Sequence, residues 1–485
     1  MLAAAILGSG MAFIDTSVVN VAMPTLQARL GADAGGVQWI MNAYTLMLGG
    51  LILTAGAAGD RYGRKRVFMY GVVAFAIASA ACGAAPDTSL LIAARGLQGI
   101  GGAMMVPGSL ALIAASFPGE ARGRAIGTWA GAAALTTALG PVVGGWLIGA
   151  VGWRAIFLIN LPLALATWLI ARARVPESQA DNPGPLDVVG TALVTLGLGL
   201  LTLAAIGDVP LPGLVAAAGI ATLTMFVRHE ARTAHPMLPL TLFRSGAFSG
   251  ANIATLLLYA ALSGVIFLLP FALIQVRGDT PAQAGASFLP LSLTLGLLSR
   301  FSGAVARRTG PWWPMVTGPL VAAVGFVGLG YAIDPAIAFA RGLLPSMLVL
   351  GLGMTIVIPP LSTVVLDAAP DRLSGTASGV NNATSRIAGL LAVALLGSAA
   401  AIWQADALAT RHPDAARDVT ATGFASAAPR PGLDDARRQA GEAAVRDAFM
   451  VAFHDTALVC AGLAAGASVA SAALLRRRRA VAWSG

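Results

Sequence analysis

The sequence predicts an all-α membrane protein with about fourteen transmembrane helices, and three observations predict it. Of its 485 residues, 57% are hydrophobic and 11% charged, against roughly 45–50% and 25% in an ordinary soluble domain. The apolar residues gather in runs of the length, about 20 residues, that a hydrocarbon core about 30 Å thick demands of a helix. The 58 Gly and most of the 27 Pro sit in or beside those runs, which suits membrane helices that pack closely and bend.

In order, the candidate spans are Leu2 to Met23, Val37 to Gly59, Val67 to Ala85, Ser89 to Phe117, Gly123 to Val151 and Ala155 to Ile170. A polar stretch from Arg172 to Leu186 then precedes two shorter spans, Asp187 to Ile206 and Leu211 to Val227, which read as an inserted pair. After a second polar connector come Ala247 to Ile274, Gly285 to Val305, Trp312 to Ile333, Arg341 to Leu366, Gly375 to Trp403 and Val445 to Leu475. The expected domains are therefore a six-helix bundle over 1–172, connectors and the inserted pair over 173–244, and a second six-helix bundle over 245–485. The last bundle carries an extracytoplasmic loop about 404–444, with room for a short helix near Leu433 to Val445 but not for a separate domain. The first run resembles the apolar centre of a signal peptide, yet it lacks a basic leader and continues past Asp15, so it is expected to be the first span.

The formal charge of +9 invites a nucleic-acid reading, but the basic residues are scattered through short loops and form no basic surface interleaved with aromatics. Membrane orientation explains them better. With a cytoplasmic N-terminus, nineteen Lys and Arg fall on one side, from the Arg61–Arg66 cluster to Arg476–Arg479, and only Arg29, Arg154, Arg277 and Arg341 in the short loops of the other. Since cytoplasmic loops carry the excess of Lys and Arg, both termini are expected in the cytoplasm. Cys82 and Cys460 both lie in apolar runs, too few for a disulfide framework or a zinc site.

The loop after the second span reads Gly56-Ala-Ala-Gly-Asp60-Arg61-Tyr-Gly63-Arg64-Lys65-Arg66. Gly63 permits a tight turn, Asp60 can meet an arginine or a helix N-terminus, and the basic cluster anchors the loop at the inner surface. This stretch resembles the signature loop of the major facilitator superfamily, G-x-x-x-D-R-x-G-R-K/R, which implies a role in holding the inner gate for Gly56, Asp60, Arg61, Gly63, Arg64 and Lys65. A degenerate echo, Arg307-Arg308-Thr-Gly310, follows the tenth span.

The first span carries Ile14-Asp15-Thr16-Ser17-Val18-Val19-Asn20-Val21-Ala22-Met23-Pro24. It is similar to the first-span motif of that superfamily's fourteen-helix drug:proton antiporters. A charged, unpaired carboxylate inside a membrane is costly, so Asp15 is expected to be protonated, paired or facing water, and is the candidate proton site. In the fourth span Arg95, Gln98 and Gly102 are spaced i, i+3, i+7 and share one helical face. Both Asp15 and Arg95 lie roughly 9–13 Å below the outer ends of their spans, close enough in depth to pair. The fifth span holds Gly140-Pro141-Val-Val-Gly144-Gly145, resembling the family's G-P-x-x-G-G antiporter motif, where a missing backbone bond and small residues permit a bend or sliding contact. Trp153-Arg154-Ala-Ile-Phe157-Leu-Ile-Asn160-Leu-Pro162 resembles a further family run and is expected at the outer interface.

The resemblance implies a major facilitator fold, two pseudosymmetric bundles with two inserted helices, in which a central cavity opens alternately to either side. It implies export of hydrophobic or amphipathic compounds, drugs or antibiotics among them, in exchange for protons across the cell's inner membrane. Asp15 is the expected titrating group and Arg95 its tuner. Asn20, Asn42, Tyr44, Gln98, Asn252, Asn381 and Arg386 are the candidates for the cavity wall. Arg386 falls inside a span with no partner evident from the sequence. A nutrient importer or facilitator of the same fold, or a non-transporting membrane sensor, remain as alternatives.

No enzyme is expected. His229-Glu230-Ala-Arg-Thr-Ala-His235 places its second histidine at i+6 instead of the i+4 of a zinc protease helix, and no phosphate-binding G-x-x-x-x-G-K-S/T loop occurs. The expected partners are a small molecule, protons and lipid, with no cofactor or metal, no nucleic acid, and a monomer.

Overall fold

The computed structural model describes residues 1–117, 119–180, 184–207, 209–370 and 373–481, without the side chains of 119, 120, 134, 300, 304, 307 and 476–481. Arg300, Arg307, Arg372 and Arg476 to Arg479, which enter the charge count above, thus lie outside what is described at side-chain level.

The first block consists of α1 (Leu2–Leu30), α2 (Ala34–Tyr62), α3 (Arg64–Ala84), α4 (Thr88–Ser116), α5 (Gly119–Ala150), the single turn α6 (Ala155–Leu158) and α7 (Asn160–Arg174). The inserted pair is α8 (Val188–Ile206) and α9 (Pro212–Glu230). Then follow α10 (Gly246–Phe271), α11 (Pro281–Ala286), α12 (Leu289–Thr309), α13 (Trp312–Ala332), α14 (Leu343–Asp367) and α15 (Ser374–Arg411). The chain closes with α16 (Pro413–Asp418), β1 (Val419–Gly423), β2 (Ser426–Pro429) and α17 (Asp435–Val481). Several helices begin where a side chain satisfies an orphan N–H: Asp33 accepts from Gly36, Asp87 from Leu90 and Asp187 from Gly190, at 2.7, 2.8 and 2.8 Å.

Thirteen helical segments among the described residues are long and apolar enough to cross a bilayer. The fourteenth, α9, stands where the sequence places it with 19 residues, but Arg228, His229 and Glu230 in its last turn dilute its apolar run. It lies along α8, with Gly219 against Leu201 and Gly197 against Leu223. The pair in turn leans on α2, where Gly50 meets Thr195 and the Thr54 and Thr191 hydroxyls bond to each other.

Within the first block α2 and α3 pack on α4, and α1 packs on α5 and α7. In the last block α13 packs on α14 and α17, and α10 on α15 and α17. The two blocks touch along a seam of α2 with α15 and of α5 with α11 and α12. Glycines make the close approaches possible: a Cβ on Gly99 would strike the Tyr44 carbonyl, and one on Gly101 the Phe75 backbone.

The segment about 404–444 is more ordered than the sequence suggests, and it adds to the all-α reading one antiparallel hairpin, β1 paired with β2. The amphipathic stretch near Leu433 to Val445 is no separate helix but mostly the start of α17. What orders the hairpin is a pair of glutamine amides. Gln27 Nε2 donates to the Phe424 carbonyl at 3.1 Å and Gln27 Oε1 accepts from the Phe424 N–H at 3.1 Å. On the other flank Gln404 donates to the Gly423 carbonyl at 3.0 Å and accepts from Ala425 N–H at 3.1 Å. Gln27 belongs to α1 and Gln404 to α15, so the tip ties the C-terminal ends of these two helices together, across the two blocks. Phe424, fully buried, fills a box of Phe267, Phe271 and Phe449, with ring centroids 5.6, 5.1 and 6.4 Å away. Emptying that box by Phe424→Ala is expected to cost about 3–5 kcal/mol. Hydrogen exchange over 419–429 should then rise sharply; unchanged protection would contradict this packing role.

Candidate functional site

The polar centre of the first block is built by one residue from each of α1, α3 and α7 and two from α4. Asp15 lies on a face of α1 otherwise lined by buried Val18, Val19 and Ala22, so it enters a close-packed interior. Arg95 Nη1 donates to Asp15 Oδ2 at 2.5 Å, and Gln98 Nε2 donates to Asp15 Oδ1 at 2.8 Å. Asn160 Nδ2 reaches the same oxygen at 3.2 Å. Ser79 Oγ accepts from Gln98 and Asn160 at 3.2 and 3.0 Å and donates to the Phe157 carbonyl at 2.9 Å. Arg95 also donates from Nε to the Ile40 carbonyl at 3.2 Å, and its guanidinium lies 4.3 Å from the centroid of the Tyr44 ring. Three donors and no acceptor face Asp15, the arrangement of a carboxylate. Asp15, Ser79, Arg95, Gln98 and Asn160 are all 0% exposed.

Asp15 and Arg95, matched in depth, thus form a direct ion pair. Two cavity candidates are packed into this polar centre. Gln98 is spent on Asp15, and Tyr44, 1% exposed, packs beneath Arg95 with its hydroxyl 3.5 Å from the Ala12 carbonyl. Asn160, read with its neighbours as an outer-interface residue, turns inward instead. The chain breaks between α6 and α7 at Ile159, and Asn160 opens the inner helix on the side facing α1. Ser79 carried no sequence signal at all, being one serine in an apolar run.

At the C-terminal end of α2 the signature loop is clamped to the end of α7 and to the connector after it. Asp60 pairs with Arg64 at 2.7 Å, Arg61 donates to the Gly184 carbonyl at 3.3 Å, and Lys65 Nζ to the Arg172 carbonyl at 3.0 Å. The helix-capping role open to Asp60 is filled by Glu177, whose carboxylate accepts from the Lys65 and Arg66 N–H groups at 3.0 and 3.1 Å at the start of α3. Gly63 is required twice over: its φ is +107°, and a Cβ there would lie 2.8 Å from the Glu177 carboxylate. Gly56 only brushes Pro107.

The glycines of the 140–145 motif divide their work. Gly140 and Gly144 admit Ser17 and Val18 of α1, while Gly145 admits the Pro281 backbone of α11 across the seam. The contact is reciprocal, since Gly285 of α11 admits the Pro141 backbone. Of the remaining cavity candidates, Asn20 is half-buried. Asn252 and Asn381 belong to a bonded cluster, in which Asn381 Nδ2 donates to Thr255 Oγ1 at 2.7 Å and to Asn252 Oδ1 at 3.3 Å. Asn42 is 0% exposed with neither amide atom partnered, and Arg386 sits beside Gly49 with its Nε unpartnered.

His229 and Glu230 tie the end of α9 to its neighbours. His229 Nε2 meets Asp187 Oδ1 at 2.8 Å, and Glu230 Oε2 accepts from Leu238 N–H at 2.9 Å. Both lie past the apolar run of α9. Burial pushes the Glu230 carboxyl up, and the neighbouring Asp187 charge adds to it, to about 7. Burial acts on Asp187 the same way, but hydrogen bonds from Gly190, Glu230 and His229 outweigh it and leave that group lowered. Of the two carboxyls, Glu230 is therefore the one that keeps a proton to higher pH. A raised carboxyl contributes stability that is complete below its ordinary value of 4.5 and lost as pH rises through about 7. The 231–239 turn should accordingly exchange amide protons faster at pH 8 than at pH 5.5, after correction for intrinsic rates. Glu230→Gln should flatten that dependence; a wild-type turn with no pH dependence would contradict it.

Helices in two packed blocks, a buried intramembrane ion pair and a clamped basic loop define a multi-pass membrane transporter. The chain belongs to the Major Facilitator Superfamily, whose pattern it matches over residues 5–393. It is 34% identical over 405 residues to the tetracenomycin C resistance and export protein of Streptomyces glaucescens, covering 82% of this chain and 74% of that one. It is also 34% identical over 412 residues to the methylenomycin A resistance protein of Bacillus subtilis, covering 83% and 88%. Among solved structures it resembles a bacterial homologue of the human lysosomal transporter Spinster in an inward-facing, occupied conformation, with a TM-score of 0.70 at 16% identity over 98% of this chain and 96% of that one.

Proposed function

We propose that this protein is a secondary active transporter that exports hydrophobic or amphipathic small molecules in exchange for protons. The observation that carries the proposal is the Asp15 carboxylate, fully buried midway along the first membrane helix and held by three donors, in a chain whose relatives are named for resistance and export. A buried ionised group of this kind is costly and marks function by default. The blocks 1–172 and 245–485 act as the two rocking halves, carrying the 173–244 connectors and inserted pair between them, with both termini in the cytoplasm of an inner-membrane monomer.

The contacts that join the halves at their outer ends, Gly145 with Pro281, Gln38 with Gly397 and the hairpin with Gln27, belong to the state closed to the outside. In that state Asp15 is sealed by Arg95, Gln98 and Asn160. Proton uptake therefore belongs to the outward-open state, in which α1 shifts against α4 and α7 and water reaches the carboxylate. Moving one charge across 100 mV supplies about 2.3 kcal/mol, enough for roughly a fiftyfold gradient.

Inside-out vesicles test the direction. With an acid interior they should accumulate members of a panel of anionic, neutral and cationic amphipaths, and a protonophore should abolish it. Accumulation only in right-side-out vesicles would instead make the protein an importer.

A further inference from the structure

We infer that Arg386 anchors the cargo site at the seam between the halves, and that it selects amphipathic organic anions, compounds joining a carboxylate or phenolate to an apolar body. The inference deepens the export reading and rests on it for the identity of the seam as the cargo path. Four observations carry it. Arg386 lies twelve residues into α15 from Ser374, about 18 Å deep at 1.5 Å per residue, so it sits near mid-membrane. Among the described residues no carboxylate comes within ion-pair distance of it, and its Nε has no hydrogen-bond partner.

The acid within the span of the neighbouring helix α17, Asp455, is out of reach in depth. It follows His454, which packs against Gly330 at the outer end of α13 and against the Tyr331 ring at 4.5 Å. The acid of the opposite half, Asp15, is saturated by Arg95. An intramembrane guanidinium without a counter-charge is a vacancy for one.

The surroundings supply the rest of a binding site. Phe13 of α1 lies 5.9 Å from the guanidinium, and the half-buried Tyr259 of α10 stands within its electrostatic reach. These rings offer stacking surface for an apolar body. On the facing helix α2, Gln38, Asn42, Gly49 and Leu53 share one stripe by their spacing. Three of them touch α15, at Gly397, Arg386 and Gly379, which puts the unpartnered Asn42 amide on the same seam. The guanidinium would then hold the acidic head group while the free amide of the opposite half lines the same path further along α2, whereas a quaternary ammonium would meet a like charge.

The test uses the purified full chain in detergent, where binding needs no gradient, and three pyrene probes of one shape: pyrenebutyrate, its primary amide and a pyrenyl quaternary ammonium. The acid is expected to bind at least tenfold more tightly than the amide, and the ammonium more weakly than either. Arg386→Gln should erase the acid's advantage while amide binding, which also reports a folded site, persists. Arg386→Lys should keep the preference within a few fold, and it decides the matter if Arg386→Gln binds nothing. Equal binding of acid and amide by the wild type, no saturable binding of the acid, or a preference that survives Arg386→Gln would each overturn the assignment. Export that persists without this selectivity would leave the transport reading intact; selectivity without export would sink the transport reading alone.

Discussion

Asp15→Asn is expected to abolish proton-driven export and, separately, to destabilise the first block. The two effects have different causes. Removing the charge leaves Arg95 with no counter-ion at 0% exposure, and breaking a buried pair by deleting one partner costs about 3–5 kcal/mol. Asparagine keeps the shape and can still bond Gln98 and Asn160, so the loss comes from the stranded guanidinium. The double variant Asp15→Asn/Arg95→Gln removes both charges, and its thermal midpoint should recover most of the single variant's loss. A double-mutant cycle with little coupling would show the pair to be worth little. Export, by contrast, should stay absent in the double variant, because no carboxyl remains on α1. Recovery of stability without recovery of coupling is what separates a proton carrier from a structural brace.

The second large effect is expected at the crossing of α5 and α11. A Cβ at Gly145 would fall on the Pro281 carbonyl, and one at Gly285 on that of Pro141. Both obstacles are backbone, which cannot rotate away as a side chain can, so Gly145→Ala and Gly285→Ala should hold the halves apart at this crossing. Transport is expected to fall more than tenfold, with hydrogen exchange rising over α11. Gly131→Ala is the matched control: its methyl group would meet nothing within 4 Å, and transport should be unaffected. If Gly145→Ala transports normally, the 140–145 motif does not govern closure.

The architecture was legible because membrane crossings announce themselves by length and apolarity, and because two glycine-and-charge motifs have fixed spacing. Asp15 and Arg95 could be matched in depth by counting 1.5 Å per residue along two helices. Depth alone, however, does not give azimuth. Gln98 and Tyr44 looked like cavity residues because polar groups in a span suggest water, yet they face the interior of their own bundle. Asn160 and Ser79 were hidden for the opposite reason, since the sequence does not say which neighbouring helix completes a hydrogen bond.

The hairpin was illegible on other grounds. Its stability comes from Gln27, 397 residues away in the other block, and from Phe267, well over a hundred residues away in its own, and nothing local in 419–429 marks a strand. Glu177 shows the same limit at the signature loop, where a connector read only as polar supplies the cap for α3. Arg386 was visible as an unpaired charge in the sequence, but its place on the α2–α15 seam needed the packing of Gly49.

Proton movement tied to cargo tests the central claim most directly. In proteoliposomes enclosing a pH-sensitive dye, adding a cargo that the wild type accumulates in vesicles should drive a proton flux in the opposite sense, and Asp15→Asn/Arg95→Gln, which keeps the fold, should show none. A cargo-driven proton flux of wild-type size in that double variant would contradict the account.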